Sequence, residues 1–126
     1  MGIEDKVQAV LIADAGVVSL VPAAKIKTGF IGQGFGAPSI GHQAITNQDT
    51  RMSENRAGVQ EWEYQISCFG ATYSSAQAIA RAVQVLFNDY KSVDLQVTHS
   101  TLGPHLRQDD LRISQIPVLL TLWDSF

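Results

Sequence analysis

A glycine-rich stretch is the first segment of this 126-residue chain whose residue types could do chemistry. Residues 29–38 contain four glycines and a proline, including the run Gly32-Gln33-Gly34-Phe35-Gly36. The backbone of such a loop can hold a phosphate, but a Walker loop needs Gly-Lys-Ser/Thr, and a dinucleotide fingerprint needs G-x-G-x-x-G opening a helix. That tripeptide does not occur, and the run leads into Pro38. We therefore interpret the stretch as a surface loop that orders on assembly, and we predict no cofactor.

Two histidines and two aspartates form the next candidate group, as metal ligands. His99, His105, Asp109 and Asp110 lie in a segment that also contains a Gly-Pro turn, and their spacing matches no common site. Zinc usually takes four protein ligands, or three and a water, whereas the chain has one cysteine and three histidines. We predict that residues 99–110 are turn-rich, that these side chains are solvated, and that no metal binds.

Paired carboxylates and candidate nucleophiles occur together in one predicted strand. Glu61 and Glu63 share its polar face, and a pair of acids needs contrasting environments to act as general acid and base. Ser67 has no G-x-S-x-G elbow around it. Cys68 falls on the apolar face, where a thiol usually acts as a small buried hydrophobe. The sequence therefore predicts no catalytic residues and no enzyme.

Residues 60–91 show most clearly the elements that position these side chains. A period of two predicts a strand whose inward residues are Trp62, Tyr64, Ile66 and Cys68. After residues 70–72 the apolar positions recur at helical spacing, at Ala76, Ile79, Ala80, Val83, Leu86, Phe87 and Tyr90. Ser74, with Gln77 three residues later, predicts a capping box at the start of this helix.

Shorter elements are predicted around this unit. Apolar spacing from Ile3 to Leu11 predicts an N-terminal helix, with Gly16 at its left-handed end and one further turn stopped by Pro22. Strands are predicted within residues 24–30, 39–45, 93–98 and 112–123. Pro117 lies inside the last of these, and because it cannot donate to a ladder it indicates a sheet edge, a bulge or a strand start.

The order of these elements predicts a single α+β domain over residues 1–126. We expect an antiparallel sheet of about four to five strands, covered on one face by the long helix, plus the short N-terminal helix. The predicted core consists of Trp62, Tyr64, Ile66, Ile79, Val83, Leu86, Val118 and Leu120.

A second polar segment, residues 47–59, lacks any period and is long for a connection inside a compact domain, where the median is about 4–6 residues. Its mixed charges serve either solubility or pairing between subunits. Together with the glycine-rich loop it supplies the candidate interface residues, which are Gly32, Gln33, Gly34, Phe35, Asp49, Arg51, Glu54 and Arg56.

Composition restricts the class of protein further. The charged fraction of 17% is below the roughly 25% typical of soluble chains, which suggests that partners cover part of the surface. A net charge of −3 with only nine basic residues argues against a dedicated nucleic-acid binder. The single cysteine fits synthesis in a reducing cytosol, and no apolar run approaches the ~20 residues of a membrane span.

A resemblance to a known family rests on residues 61–80. There a strand that reads aromatic-x-hydrophobic-x-hydrophobic is followed by a break of small residues and an alanine-rich helix. With the apolar start at residues 7–21 and the closing strand at residues 116–122, this order is similar to that of the tail completion, or tail terminator, proteins of long-tailed bacteriophages.

The resemblance implies a structural protein without catalytic residues. It implies a subunit of a homo-oligomeric ring, a hexamer, that caps the tail tube and joins it to the neck of the head. Its partners would be the tail tube protein and neck or connector proteins, and DNA would pass through without specific binding. The chain would be made in the host cytoplasm and reside at the tail–neck junction of the virion.

Two kinds of alternative stay open from the sequence. One is another neck component, such as a head–tail connector or stopper, or the equivalent in a contractile tail or tail-like particle. The other is a small enzyme or ligand-binding α+β domain, which would require polar residues that converge in a pocket.

Overall fold

A computed structural model describes residues 3–28, 38–48, 59–88, 90–91, 95–103, 106–108 and 113–125. The helices are α1 (Ile3–Ala13), α2 (Ala15–Leu20) and α3 (Tyr73–Phe87). The strands are β1 (Ile26–Thr28), β2 (Ser39–Gln48), β3 (Val59–Gly70), β4 (Leu95–Leu102), β5 (Leu106–Gln108) and β6 (Ile113–Ser125). A short 3-10 turn, Ala23–Lys25, leads into β1.

The described strands form one sheet in the order β1-β2-β3-β6-β4, and β5 pairs with the part of β6 that β4 does not reach. Strand β1 runs parallel to β2, while the other pairs are antiparallel. The predicted α+β class is confirmed, and the parallel β1 makes the sheet mixed. The connection from β3 through α3 to β4 passes over the position of β6, because β6, the last strand in the chain, lies between β3 and β4.

The described helices pack on one face of this sheet, which we call the core face. Helix α3 contacts β3, β6 and β4, and α1 contacts β1 and β2. Alternate strand residues point to this face, as the register partners Cys68 and Ile116 show. Six predicted core residues are at most 2% exposed, namely Tyr64, Ile66, Ile79, Val83, Val118 and Leu120. Trp62 and Leu86 pack against this cluster and stay partly exposed.

Helix α3 begins two residues earlier than the predicted capping box requires. Thr72 is extended (φ −129°, ψ 166°), and its hydroxyl accepts a hydrogen bond from the Ser75 N–H at 3.2 Å. The Ser75 hydroxyl in turn accepts from the Thr72 N–H at 3.3 Å. The box predicted at Ser74 and Gln77 is therefore wrong, because Ser74 already lies inside the first helical turn. Two of the N–H groups left open by the helix start are satisfied in this way.

The N-terminal segment contains two helices that meet at Asp14. Its carboxylate accepts a hydrogen bond from the Val17 N–H at 2.9 Å and caps α2. Gly16 lies in the first turn of α2, so the predicted left-handed helix end at Gly16 is wrong. The Asp14 side chain caps a new helix directly after α1 ends at Ala13, so the chain does not need a left-handed residue to end α1. Val17 and Val21 carry the apolar face of this unit into the core.

Pro117 lies in an interior strand, between β3 on one side and β4 with β5 on the other. The predicted edge, bulge or strand start is therefore wrong. The Pro117 carbonyl accepts a hydrogen bond from the Gly103 N–H at 2.7 Å. Because a strand residue directs its nitrogen and oxygen to the same neighbour, the proline nitrogen also faces Gly103, which follows the last register pair of β4, Leu102 with Val118. The missing donor of Pro117 therefore falls at the end of a strand pairing and not in its middle.

The segment predicted to be turn-rich, residues 99–110, is largely strand where it is described. Strand β4 continues through His99 to Leu102, and β5 follows at Leu106. Both pair with β6, His99 opposite Thr121 and Leu106 opposite Gln115. Pairing with a long central strand overrides the local preference of these polar residues. His105, Asp109 and Asp110 lie outside the described residues.

Candidate functional site

The eight predicted interface residues lie outside the part of the chain that the structure describes. They are Gly32, Gln33, Gly34, Phe35, Asp49, Arg51, Glu54 and Arg56. The described chain stops at Thr28 and resumes at Pro38, and it stops again at Gln48 and resumes at Val59. Their role in contacts between subunits therefore stays a prediction.

Cys68 is confirmed as a buried residue. The side chain has no exposed surface, and burial raises the pKa of its thiol well above the ordinary value. Its nearest hydrogen-bond acceptor is the Ile66 carbonyl at 3.9 Å. A thiol that cannot ionise and cannot meet solvent is a packing group, because nucleophilic and metal-binding chemistry both need the thiolate.

The described residues contain no group of three or more His, Cys, Asp or Glu side chains placed to hold a metal ion. Within the same residues, no helix is both long enough and apolar enough to cross a bilayer.

Of the carboxylate and hydroxyl candidates, Glu63 and Ser67 lie on the sheet face opposite the helices, which we call the open face. The Glu61 side chain lies outside the described part of the structure. Ser67 accepts hydrogen bonds from the side-chain amides of Gln65 (2.9 Å) and Gln115 (3.1 Å). Amides cannot act as a general base, so these contacts do not activate the hydroxyl. Glu63 is exposed on the same face. The arrangement is a surface ladder of polar side chains.

A buried polar chain joins the N-terminal elements to the sheet, and it is not among the sites predicted from the sequence. His42 on β2 has no exposed surface. Its Nδ1 lies 2.6 Å from the Tyr64 hydroxyl, and its Nε2 lies 2.7 Å from the Gln8 Oε1. The Gln8 amide also donates to the Ile26 carbonyl at 2.9 Å. The chain thus connects α1, β1, β2 and β3.

The proton positions in this chain follow from its two ends. Gln8 uses its amide N–H on Ile26, so its oxygen faces His42 and the imidazole must donate from Nε2. Burial lowers the pKa of His42 to about 4, so the ring is neutral and its Nδ1 accepts from the Tyr64 hydroxyl. Burial, and then the acids Glu4 and Asp5, raise the pKa of Tyr64 and keep that hydroxyl protonated.

This chain is structural, since both ring nitrogens of His42 already have partners and no solvent reaches them. It holds α1 and β1 against the core face through hydrogen bonds that would be costly to leave unmade. A sequence signal for it exists. A strand is predicted within residues 39–45, and a period of two places His42 on the same face as the apolar Ile40.

A shallow, largely apolar hollow lies on the open face, and we call it the sheet hollow. Its volume is about 140 Å³, and its walls include Ile45, Glu63, Thr101, Leu119 and Thr121. Ile45 is 47% exposed. Burial changes along this face, because Ser39 and Phe69 at its other end are buried. The exposed part is therefore the part around Glu63.

A second hollow lies on the outside of the helical layer, and we call it the helix hollow. Its volume is about 360 Å³, and it is lined by Asp14, Gly16, Arg81, Ala82, Val85 and Leu86. Val85 is 76% exposed. Neither hollow brings together a nucleophile, a base and a charge-stabilising group. Both offer exposed apolar side chains at a charged margin, which suits contact with other protein molecules.

The fold and its surfaces thus define an α+β domain whose described residues are arranged for packing and contact. A comparison with protein families identifies the class: the model of the family "Tail completion protein gp17" matches residues 5–102. The match spans more than half of the chain, and this protein belongs to that family.

A comparison with solved structures agrees on the fold. A chain in the structure titled "Virion of native gene transfer agent (GTA) particle" superposes with a TM-score of 0.69 at 16% sequence identity. The match covers 98% of this chain and 95% of that chain, so the two share a fold. Among curated proteins no significant match is found.

Proposed function

We propose that this protein is the subunit of a six-membered ring that caps the phage tail tube and joins it to the neck of the head. The observation that carries the proposal is the family match over residues 5–102. Further support comes from the similarity in fold to a chain of a virion particle. The protein would accordingly reside in the virion, at the tail–neck junction.

The mechanism that we propose is non-covalent assembly, in which no covalent bond is made or broken. Head-to-tail contacts between unlike surfaces generate a ring when the rotation between neighbours closes. The strands β1 and β4 border the described sheet and offer backbone groups to a neighbouring chain. The segments at residues 29–36 and 47–59 would supply further contacts that seal the end of the tube.

The electrostatics of the chain support a passage for DNA without tight binding. Its net charge is −3 and only nine residues are basic, whereas retention of DNA depends on clustered Lys and Arg against the phosphates. The exclusion of enzymatic activity belongs to the same proposal. The side chains that could act as nucleophiles, Ser67 and Cys68, are paired with amides and buried, respectively.

Growth of tail tubes tests this function. Tube protein that polymerises without a cap should stop elongating when the purified chain is added, and a ring should appear at the tube end. Tubes that grow to unchanged length in excess chain would contradict the proposal.

The predicted contact segment can be tested in the same assay. Arg51→Glu combined with Arg56→Glu should weaken capping at least about tenfold, because like charges placed across an interface cost several kcal/mol. The control is Lys91→Glu, which reverses the charge of an exposed residue outside that segment and outside β1 and β4. A loss of capping in Lys91→Glu as large as that in the double variant would exclude residues 47–59 as the contact.

A further inference from the structure

We infer that the helix hollow of one copy docks on the sheet hollow of the next copy, so that Val85 enters the space beside Ile45 and Arg81 faces Glu63. The inference rests on the proposed function, because a ring of identical subunits supplies the second copy. It goes further by naming the described surfaces that meet.

The outer stripe of α3 is the first support. The exposed positions of α3 are Tyr73, Ser74, Ala78, Arg81 and Val85. The outward side of a surface helix normally carries charged and polar residues, but this stripe carries a single charge. Val85 is the most exposed large apolar residue in the described chain, at 76%. A helix with such an outer surface is expected to be covered.

The charge at the margin of the helix hollow is the second support. Arg81 lies four residues before Val85, so the two side chains are neighbours on the same side of α3. Asp14 lines the hollow too, but its carboxylate is engaged with the Val17 N–H at 2.9 Å. Within the described residues no ion pair engages Arg81. The hollow therefore presents an apolar centre with an available cation at its margin.

The sheet hollow has the complementary character. Glu63 is the one charged residue among the described residues that line it, and it is exposed. The other lining side chains on this face, such as Ile45, Leu119 and Thr121, are apolar or uncharged. An available anion therefore borders an apolar space, as an available cation does on α3. Apolar centres with charged margins are the usual organisation of specific interfaces.

The placement of the two hollows fits a ring. Helix α3 covers the core face, while Glu63 lies on the open face, so one copy carries the two surfaces on opposite layers. A contact between unlike surfaces leaves each surface available for a different neighbour, and repetition adds copies in one direction until the ring closes. A two-fold dimer would instead join like surfaces.

Charge reversal tests this contact directly. Arg81→Glu and Glu63→Arg should each weaken oligomer formation about tenfold or more, because each places like charges opposite one another. The double variant Arg81→Glu/Glu63→Arg restores opposite charges and should recover most of the wild-type assembly. Lys91→Glu is the matched control, since it reverses an exposed cation outside both hollows. Native mass would be measured for the chain alone and with uncapped tubes.

An apolar variant provides an independent check. Val85→Ser should weaken assembly, whereas Ile12→Ser, which changes an apolar residue that is 42% exposed on α1, should leave it unchanged. Thermal unfolding of every variant verifies that the changes act on assembly and not on folding.

The outcomes separate this inference from the proposed function. Rings that form equally well with all charge variants, or a double variant that stays as weak as the single ones, would overturn the docking geometry and leave the ring intact. Single variants that form rings yet fail to cap tubes would assign the hollows to the tube protein and overturn the contact between copies. A wild-type chain that forms no oligomer, alone or with tubes, would overturn both proposals.

Discussion

The two faces of the β-sheet are built from the same strands but differ in how deeply their side chains are buried. On the core face Tyr64, Ile66 and Val118 have no exposed surface, and even the polar His42 has a partner at each ring nitrogen. On the open face, Glu63, which is next to Tyr64 in β3, and Ile45, which lies at the register shift in β2, are both exposed. Side chains on the core face therefore stabilise the domain, while the part of the open face around Glu63 is available for contact.

The largest difference in stability is expected between two variants that introduce the same carboxylate, one on the core face and one on the open face. Ile79→Asp buries a carboxylate without a partner in the α3 interface and should unfold the domain, at a cost of about 4 kcal/mol or more. Ile45→Asp places it on the exposed face and should change the free energy of unfolding by only about 0.5 kcal/mol. Urea unfolding followed by circular dichroism measures both. A folded Ile79→Asp domain would contradict the assignment of the core face.

Acidification should act on the core face through His42. Its pKa is about 4 when folded and 6.5 when unfolded, so the unfolded chain binds the proton more tightly. The stability that depends on the neutral ring is complete above about pH 7 and decreases as the pH falls from 6.5 to 4, by roughly 3 kcal/mol in total.

The His42→Gln variant isolates this effect, because the other histidines and the carboxylates titrate in both proteins. The difference in unfolding free energy between wild type and variant should shrink as the pH is lowered from 7 to 4. A difference that is constant with pH would show that the buried imidazole does not titrate as described.

The junction between β3 and α3 is tightly packed at Gly70, at one end of the core face. A Cβ on Gly70 would lie 2.4 Å from the Ala76 backbone nitrogen, so Gly70→Ala must displace the start of α3 and should cost about 2 kcal/mol. In Gly16→Ala the atom nearest to the added Cβ belongs to the Asp14 side chain, at 3.2 Å. The free energy of unfolding should therefore change by less than about 1 kcal/mol. Equal melting temperatures for the two variants would refute this tight approach.

The smallest effect concerns the helix cap. Thr72→Ala removes the acceptor of the Ser75 N–H and should cost about 1 kcal/mol. Ser74→Ala should be close to neutral, since Ser74 is exposed within the first turn. Thermal melts of the two variants decide between the observed cap and the one that the sequence predicts, and a larger loss in Ser74→Ala would favour the latter.

Periodicity was sufficient to predict the central part of the fold. The alternation through Tyr64 and Cys68 and the helical spacing through Ile79 and Val83 determine which side chains are buried, because burial of apolar surface dominates these elements. The phase of a strand, once known, also determines its open face. Both the covered and the uncovered face could therefore be predicted from residues 60–91.

Features that depend on pairing between distant segments could not be predicted. Pro117 is tolerated in an interior strand only because β4 ends beside it, and that requires the register of three strands. His42 gains its partners from α1 and β3, which are 34 and 22 residues away along the chain. The cap at Thr72 was missed because residues 70–74 offer several hydroxyl groups, and only the backbone angles select one.

The mass of the particle formed by the protein tests the central claim most directly. Native mass spectrometry of the chain, alone and after release from tube ends, should give a closed species of six subunits that contains no other protein. A chain that remains a monomer in both conditions, with tubes growing past it, would contradict the account of a ring-forming tail completion subunit.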